Sequence, residues 1–358
     1  MRLRSLGDVV MLTPALAALR AWRPDLRLSV LLEPAWTPVL EGNPAASEIL
    51  LARRFATTAW DLRRRRFPIV FNQHGGPASA WLVAATGSPA RVCWAGRQFS
   101  FLYNVHVPDA KEFFGTDQVH TVEHRLSQFY WTGLPRGPIP QAEIFPQRDA
   151  LARVEKILRE HGIETEAPYA VLQPGARYFT MRWGIEKFAE IARWLRDSRG
   201  LASIVNLGRD DSKIAAEVRE RLGTDCIVLD SLNLRELIAV VSRARLYVGN
   251  DTGPMHLAAA LGRPVVAIHG SSSSVHWRPW QTEHRVAQND FPCNPCPGDR
   301  CYVFDEPRCI LSVTVGQVRS ACEELLTERP VLRKADPSLR SGPVSGLRSS
   351  PPDSRNRR

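Results

Sequence analysis

Leu246-Tyr247-Val248-Gly249-Asn250-Asp251-Thr252-Gly253-Pro254-Met255-His256-Leu257-Ala258-Ala259-Ala260 reads as strand, polar turn and helix. The apolar run 246–248 predicts a buried strand. Pro254 suits a helix start, where its fixed φ and missing N–H are tolerated. Asp251 or Thr252 can cap that helix, Gly253 lets the backbone approach a ligand, and His256 in the first turn can add a donor. Exposed N–H groups at a helix N-terminus, on the carboxyl side of a parallel sheet, form an anion site. For Asp-Thr-Gly alone, a plain cap with a buried histidine accounts for the pattern. The next predicted strand, 264–269, runs into Gly270-Ser271-Ser272-Ser273-Ser274, a second small polar loop at the same sheet edge. The two loops together favour a phosphate site.

Outward from this unit the same alternation extends in both directions. Helices over 150–161, 185–198, 212–222, 234–242 and 254–261 separate strands over 169–173, 202–207, 226–229, 246–248 and 264–269. Upstream, helices over 14–22, 78–85 and 121–131 alternate with strands over 28–32, 49–51, 69–71 and 91–94. Short apolar strands interleaved with helices imply parallel sheets covered on both faces. The Pro- and Gly-rich stretch 133–146 divides the two series. The expectation is an α/β protein with two doubly wound domains, 1–146 and 147–330, facing across a cleft. Residues 331–358, rich in Ser, Pro, Gly and Arg, are expected to be a disordered basic tail.

At 358 residues the chain has room for two sizeable cores. Hydrophobic residues make up 44% and charged residues 23%, which excludes wholesale disorder. Half of the formal charge of +10 lies in the tail, with seven basic side chains against two acidic ones. A body this weakly basic does not call for nucleic acid; it suits anionic substrates or the anionic face of a membrane. No run approaches the ~20 apolar residues of a spanning helix, and no secretory h-region is visible. Seven cysteines, an odd number, point to a reducing compartment. The expectation is a cytoplasmic protein, with peripheral contact at an anionic membrane face.

Three further segments carry chemistry. Gln173-Pro174-Gly175-Ala176-Arg177 places a Pro-Gly turn after a strand, with Arg177 and Arg182 positioned to hold a diphosphate. Ser5-Leu6-Gly7-Asp8 precedes an apolar helix, where Asp8 read alone is a helix cap. Cys293, Cys296, Cys301 and Cys309 form C-x2-C-x4-C-x7-C. Two readings stand for these four: a structural zinc site, or a loop packed by reduced thiols.

Taken together, these segments resemble glycosyltransferase family 9, the ADP-heptose:lipopolysaccharide heptosyltransferases. The resemblance rests on Leu3-Arg4-Ser5-Leu6-Gly7-Asp8-Val9-Val10 with Thr13-Pro14-Ala15-Leu16, on Gln173-Pro174-Gly175-Ala176 with Arg182-Trp183, and on Asp251-Thr252-Gly253-Pro254-Met255-His256 followed by Ala258-Ala259-Ala260. The cysteine segment with Ile310 and Val318 matches as well, so similarity runs from residue 1 to about 328. The resemblance implies a GT-B fold, with acceptor binding mainly by the first domain and donor binding by the second. It implies Asp8 as catalytic base and donor binding by Gly175, Arg177, Arg182, Asp251, Thr252, Gly253, His256 and Ser271. The implied reaction is inverting transfer of heptose from ADP-L-glycero-D-manno-heptose to the lipopolysaccharide inner core, with no metal required for the chemistry. Three positions depart from the family pattern. Only Met1-Arg2-Leu3-Arg4 stand where several apolar residues form the first strand, so that strand is truncated or begins upstream. Met181 replaces a basic residue, and Ser212 replaces an acidic one, with Asp210 and Asp211 adjacent. Two alternatives stay open: a transferase for another nucleotide sugar, and a non-catalytic nucleotide- or glycan-binding relative. A nicotinamide enzyme is disfavoured, because no G-x-G-x-x-G follows a strand.

Overall fold

The computed structural model describes residues 1–164, 166–208, 211–212, 214–223 and 225–327. The expected tail 331–358 lies outside the described residues. In chain order the first half holds α1 (Leu6–Val10), α2 (Thr13–Trp22), β1 (Ser29–Leu32), β2 (Glu48–Leu51), α3 (Phe55–Arg64), β3 (Ile69–Phe71), α4 (Pro77–Ala85), β4 (Ala90–Trp94), β5 (Val105–Val107), α5 (Ala110–Phe114) and α6 (Thr121–Trp131). The second half holds α7 (Arg148–Glu160), β6 (Tyr169–Gln173), α8 (Ile185–Arg199), β7 (Ala202–Asn206), α9 (Ala215–Leu222), β8 (Ile227–Leu229) and α10 (Leu234–Arg243). It continues with β9 (Leu246–Asn250), α11 (Gly253–Ala260), β10 (Val265–Ile268), α12 (Ser274–Trp277), β11 (His284–Ala287), α13 (Arg308–Leu311) and α14 (Val315–Thr327).

Among the described residues every strand pairing is parallel. The second sheet runs β8-β7-β6-β9-β10-β11, so chain order reverses between β6 and β9. Ligands of open α/β sheets bind in the crevice outside the carboxyl ends of the strands at such a switch point. Here those ends are Gln173 and Asn250, and β6 and β9 pair as far as Gln173 opposite Gly249.

The first half repeats this order around residues 1–4. Met1 N donates to Phe71 O at 2.7 Å and Met1 O accepts from Gln73 N at 2.9 Å. On the other side Arg2 N donates to Leu31 O and Glu33 N donates to Leu3 O. This short extended segment therefore joins β2-β1 to β3-β4-β5 and satisfies both inner edges, although it forms no strand of its own. The neighbouring strands β1 and β3 are four and three residues long.

A single buried cluster crosses from one half to the other. Leu6, Val9 and Met11 join it from α1 and its end, and Leu237, Met255 and Leu257 from α10 and α11. Residues 133–146, expected as a linker, hold no helix or strand but are fixed to both halves. Glu143 N donates to Thr13 Oγ1, while Trp280 Nε1 and Gln281 Nε2 donate to Pro140 O and Ile139 O. Arg235 adds a bidentate pair to Glu41 at 2.6 and 2.7 Å.

Candidate active site

Asp8 lies in α1, directly after the extended residues 1–4, and so stands at the carboxyl edge of the first sheet. Its Oδ2 accepts from Ser5 Oγ at 2.9 Å and pairs with Arg2, while Oδ1 pairs with Arg125. Both guanidiniums also donate to Gln73 O, at 2.6 Å from Arg2 and 3.1 Å from Arg125. Burial pushes the Asp8 carboxyl up, but Arg125, Arg2 and Ser5 together outweigh it and hold the group below its ordinary value. Asp8 is therefore ionised at neutral pH, with one fifth of its side chain open to solvent. It does close the first turn of α1 against Ser5, as the cap reading expects. The two arginines and the cleft are what that reading omits.

Sequence reasoning missed Arg2, Arg125 and His74. Arg125 had one local sign: it shares the buried face of α6 with Val122, Leu126 and Phe129, the spacing of a core stripe. A charge on such a stripe needs a partner, and the partner lies 117 residues away. His74 follows β3, partly buried; burial, with Arg2 and Arg4 next in effect, pushes its imidazole down to about 4.

Facing Asp8 is the N-terminus of α11. A Cβ on Gly7 would stand 2.8 Å from His256 Cδ2, and one on Gly253 would stand 2.9 Å from Leu6 Cβ and 3.1 Å from Gly7 N. The bare Cα of Gly253 thus admits α1, which revises the expectation that it opens the backbone to a ligand. The expected cap is also corrected. Thr252 occupies the N-cap position, but no side chain caps α11. Its hydroxyl donates instead to Asn250 O at 3.3 Å, because the strand runs on to Asn250 and turns the chain sharply there. Asp251 turns toward two histidines, with His269 Nδ1 at 3.7 Å and His256 Nε2 at 4.0 Å. Burial lowers both imidazoles and Asp251 opposes the shift; Asp8 also reaches His256. His256 Nδ1 and His269 Nε2 are buried with no hydrogen-bond partner among the described residues. An uncapped helix start with buried polar atoms beside it is suited to an anion.

The other expected donor residues line the same sheet edge at varying distance. Gly175 follows β6 at the switch point, and a Cβ there would collide with the Asp211 carboxylate. Asp211 in turn accepts from Gly208 N at 2.8 Å and Gln173 Nε2 at 3.4 Å. Asp210 lies outside the described residues. Arg182 Nε donates to Ala176 O at 2.9 Å, fixing the Pro-Gly turn, whereas Arg177 is exposed with its guanidinium over Tyr178. Ser271 is buried under the cysteine segment: its O accepts from Cys296 N, and it shares a small cavity with Cys293, Cys296, Cys301 and Cys309. All four cysteines are free thiols. Among the described residues no group of three or more His, Cys, Asp or Glu side chains is arranged to hold a metal. The zinc reading finds no support there; Cys301 Sγ accepts from Phe304 N and Cys309 is buried.

The sequence of residues 56–303 matches the family model described as glycosyltransferase family 9 (heptosyltransferase). The chain is 26% identical over 294 residues to lipopolysaccharide heptosyltransferase 3 of Escherichia coli K12, covering 76% of this chain and 82% of that one. The fold matches a glycosyl transferase family 9 structure from Veillonella parvula, with a TM-score of 0.78 at 22% identity over 91% of this chain and 96% of that chain. It also matches E. coli ADP-heptose lipopolysaccharide heptosyltransferase II, with a TM-score of 0.76 at 22% identity over 92% and 99%. The expected GT-B architecture of two Rossmann-like halves is thereby met.

Proposed function

The chain belongs to glycosyltransferase family 9, and from that premise we propose that it is an inverting heptosyltransferase. It would move L-glycero-D-manno-heptose from the ADP-linked donor to a sugar of the lipopolysaccharide inner core. The observation that carries this reading is the ionised Asp8 carboxylate set opposite the uncapped start of α11. An acceptor hydroxyl becomes a competent nucleophile when a positioned carboxylate removes its proton in the transition state. The departing diphosphate gathers negative charge, and the α11 N-terminus with His256 and the β6 turn supplies donors there. Arg2 and Arg125 fix the direction of the carboxylate and keep it deprotonated, at some expense in basicity.

We assign acceptor binding to residues 1–146 and donor binding to residues 147–330, with Gly175, Arg177, Arg182, Asp251, Thr252, Gly253, His256 and Ser271 on the donor side. On this assignment His256 Nδ1 or Nε2 reaches a phosphate oxygen. We assign the ribose or base contact to Asp211, held over Gly175 at the switch point. No metal or other cofactor enters the proposed transfer. Among the described residues no helix is long and apolar enough to cross a membrane. We place the enzyme in the cytoplasm, at the inner face of the membrane that carries its acceptor. Calorimetry with ADP, UDP and GDP, followed by turnover of the matching nucleotide heptose, tests the reading. Tighter binding of ADP and its release in the presence of a heptose-deficient core acceptor are expected. Preference for UDP would move the donor to another nucleotide sugar.

A further inference from the structure

Residues 53–107 hold eight arginines, no lysine and a single acid, Asp61. The formal charge of this stretch, +7, is most of what the whole chain carries, and it coincides with a concentration of exposed aromatic rings. Trp60 on α3 is 60% exposed, Trp81 on α4 47% and Phe101 73%. The three belong to adjoining elements, since α3 packs beside α4 and α4 beside the turn at Ser100–Leu102. Trp81 and Phe99 each meet Phe101 edge to face and meet one another at a tilt, with centroids 6.3–6.5 Å apart, while the Arg64 guanidinium lies 4.4 Å over Trp60.

The topology sets the direction of this strip. Both α3 and α4 start at the carboxyl edge of their sheet and run back to the amino ends of β3 and β4. There Arg63, Arg64 and Arg66 line an open depression of ≈ 580 Å³ with Phe67, Thr86 and Pro89. None of these three arginines has an acidic partner among the described residues, whereas Arg65 is paired with Glu48 at 2.6 Å. Arginines without counter-charges, clustered beside exposed tryptophan, match an interface between water and an anionic lipid surface, where the rings enter the headgroup layer and the guanidiniums meet phosphates.

We propose that the outer faces of α3, α4 and the Ser100–Leu102 turn dock the protein on an anionic lipid bilayer, with Arg63, Arg64 and Arg66 on lipid phosphates and Trp60, Trp81 and Phe101 in the interface. The Ser100–Leu102 turn leads into β5, and Leu102 O accepts from Arg91 Nε near the start of β4. Docking needs this surface alone and does not depend on its distance from Asp8. Nucleic acid is the less favoured partner, because the rings of this patch pack against one another or beside an arginine rather than standing as separate stacking platforms.

The test is sedimentation of the full chain with vesicles of phosphatidylethanolamine and phosphatidylglycerol, with phosphatidylcholine vesicles as the neutral comparison. Each basic residue near an anionic surface contributes about fivefold to partitioning, so R63Q/R64Q/R66Q is expected to bind about 100-fold more weakly at low salt. All three side chains are exposed, so an unchanged melting temperature is expected to accompany the loss. Brominated acyl chains are expected to quench wild-type tryptophan fluorescence more than that of W60F/W81F. Wild-type vesicle binding by the triple variant, as would follow if the basic segment 331–358 carried all the attraction, overturns the proposal. So does equal quenching of both proteins, or binding to RNA with none to vesicles. Turnover is not read in any arm, so failure here leaves the reaction assignment untouched.

Discussion

Replacing Gly7 by Ala puts a methyl group into the seam between the two halves. Its Cβ would lie 2.8 Å from His256 Cδ2 and 3.3 Å from Gly253 Cα, well inside carbon–carbon contact distance. His256 cannot swing away, since it is buried between α11 and the Trp277 ring. The strain is relieved only by moving α1 off α11 by a fraction of an ångström. Overpacking of this kind costs about 1–3 kcal/mol, which lowers the melting temperature by roughly 2–12 °C at about 2–4 °C per kcal/mol. Asp8 moves with α1, and a displacement near 1 Å at a catalytic group can cost about 100-fold in rate. Differential scanning calorimetry and steady-state kinetics on Gly7→Ala therefore report a lower melting temperature together with a lower kcat. Gly137→Ala serves as the control, because nothing lies within 4 Å of a Cβ there. Wild-type stability and kcat in Gly7→Ala would refute the close seam and the placement of Asp8 derived from it.

Asp8, whose folded carboxyl is held below its unfolded value by Arg125 and Arg2 against burial, contributes stability that is present above about pH 4 and lost as pH falls through the folded value. The stability difference between wild type and Asp8→Asn, followed by urea unfolding, is expected to be constant from pH 5 to 8 and to shrink below pH 4. A difference that grows on acidification would reverse the sign of that argument. His256→Ala should weaken ADP binding by about 1–3 kcal/mol, the loss of a hydrogen bond to a charged group, as read by calorimetry. Native protein should contain no stoichiometric zinc by elemental analysis, and its partly exposed Cys293, Cys296 and Cys301 should react with a thiol-specific reagent; one zinc per chain would restore the metal reading.

Much of the architecture was legible where strand and helix periods were long and clean. The strands at 69–71 and 169–173 and the helix at 121–131 have the expected bounds. Neighbouring elements differ by one to three residues, as α9 does in starting at Ala215 rather than 212. What escaped reading had little periodicity to read. On α3 only Thr58 and Leu62 are buried, β5 is the tripeptide Val-His-Val, and β11 carries His284 and Arg285. The central position of residues 1–4 followed only from the family resemblance and not from their own pattern, because it depends on backbone hydrogen bonds to strands about 30 and 70 residues away. At the site, local motifs revealed Asp8, Gly175, Gly253 and His256 but not what surrounds them. Gly253 was read as room for a ligand, and its neighbour is the backbone of Gly7, 246 residues earlier. Spacing along a chain reveals which residues share a turn; it carries no information about which turns meet.

The most direct test is the turnover of Asp8→Asn with ADP-heptose and a heptose-deficient core acceptor. Asparagine removes the charge that opposes Arg2 and Arg125. Breaking one side of a buried pair costs about 3–5 kcal/mol, less here because Asp8 is partly open to solvent, so the assay belongs at a temperature where the variant is fully folded. Under that condition ADP affinity should stay near that of the wild type, because Asp8 lies on the acceptor side of the seam. Loss of the base should lower kcat by about 10²–10⁴. A folded, ADP-binding Asp8→Asn enzyme with wild-type kcat would contradict the account and leave Asp8 as a helix cap.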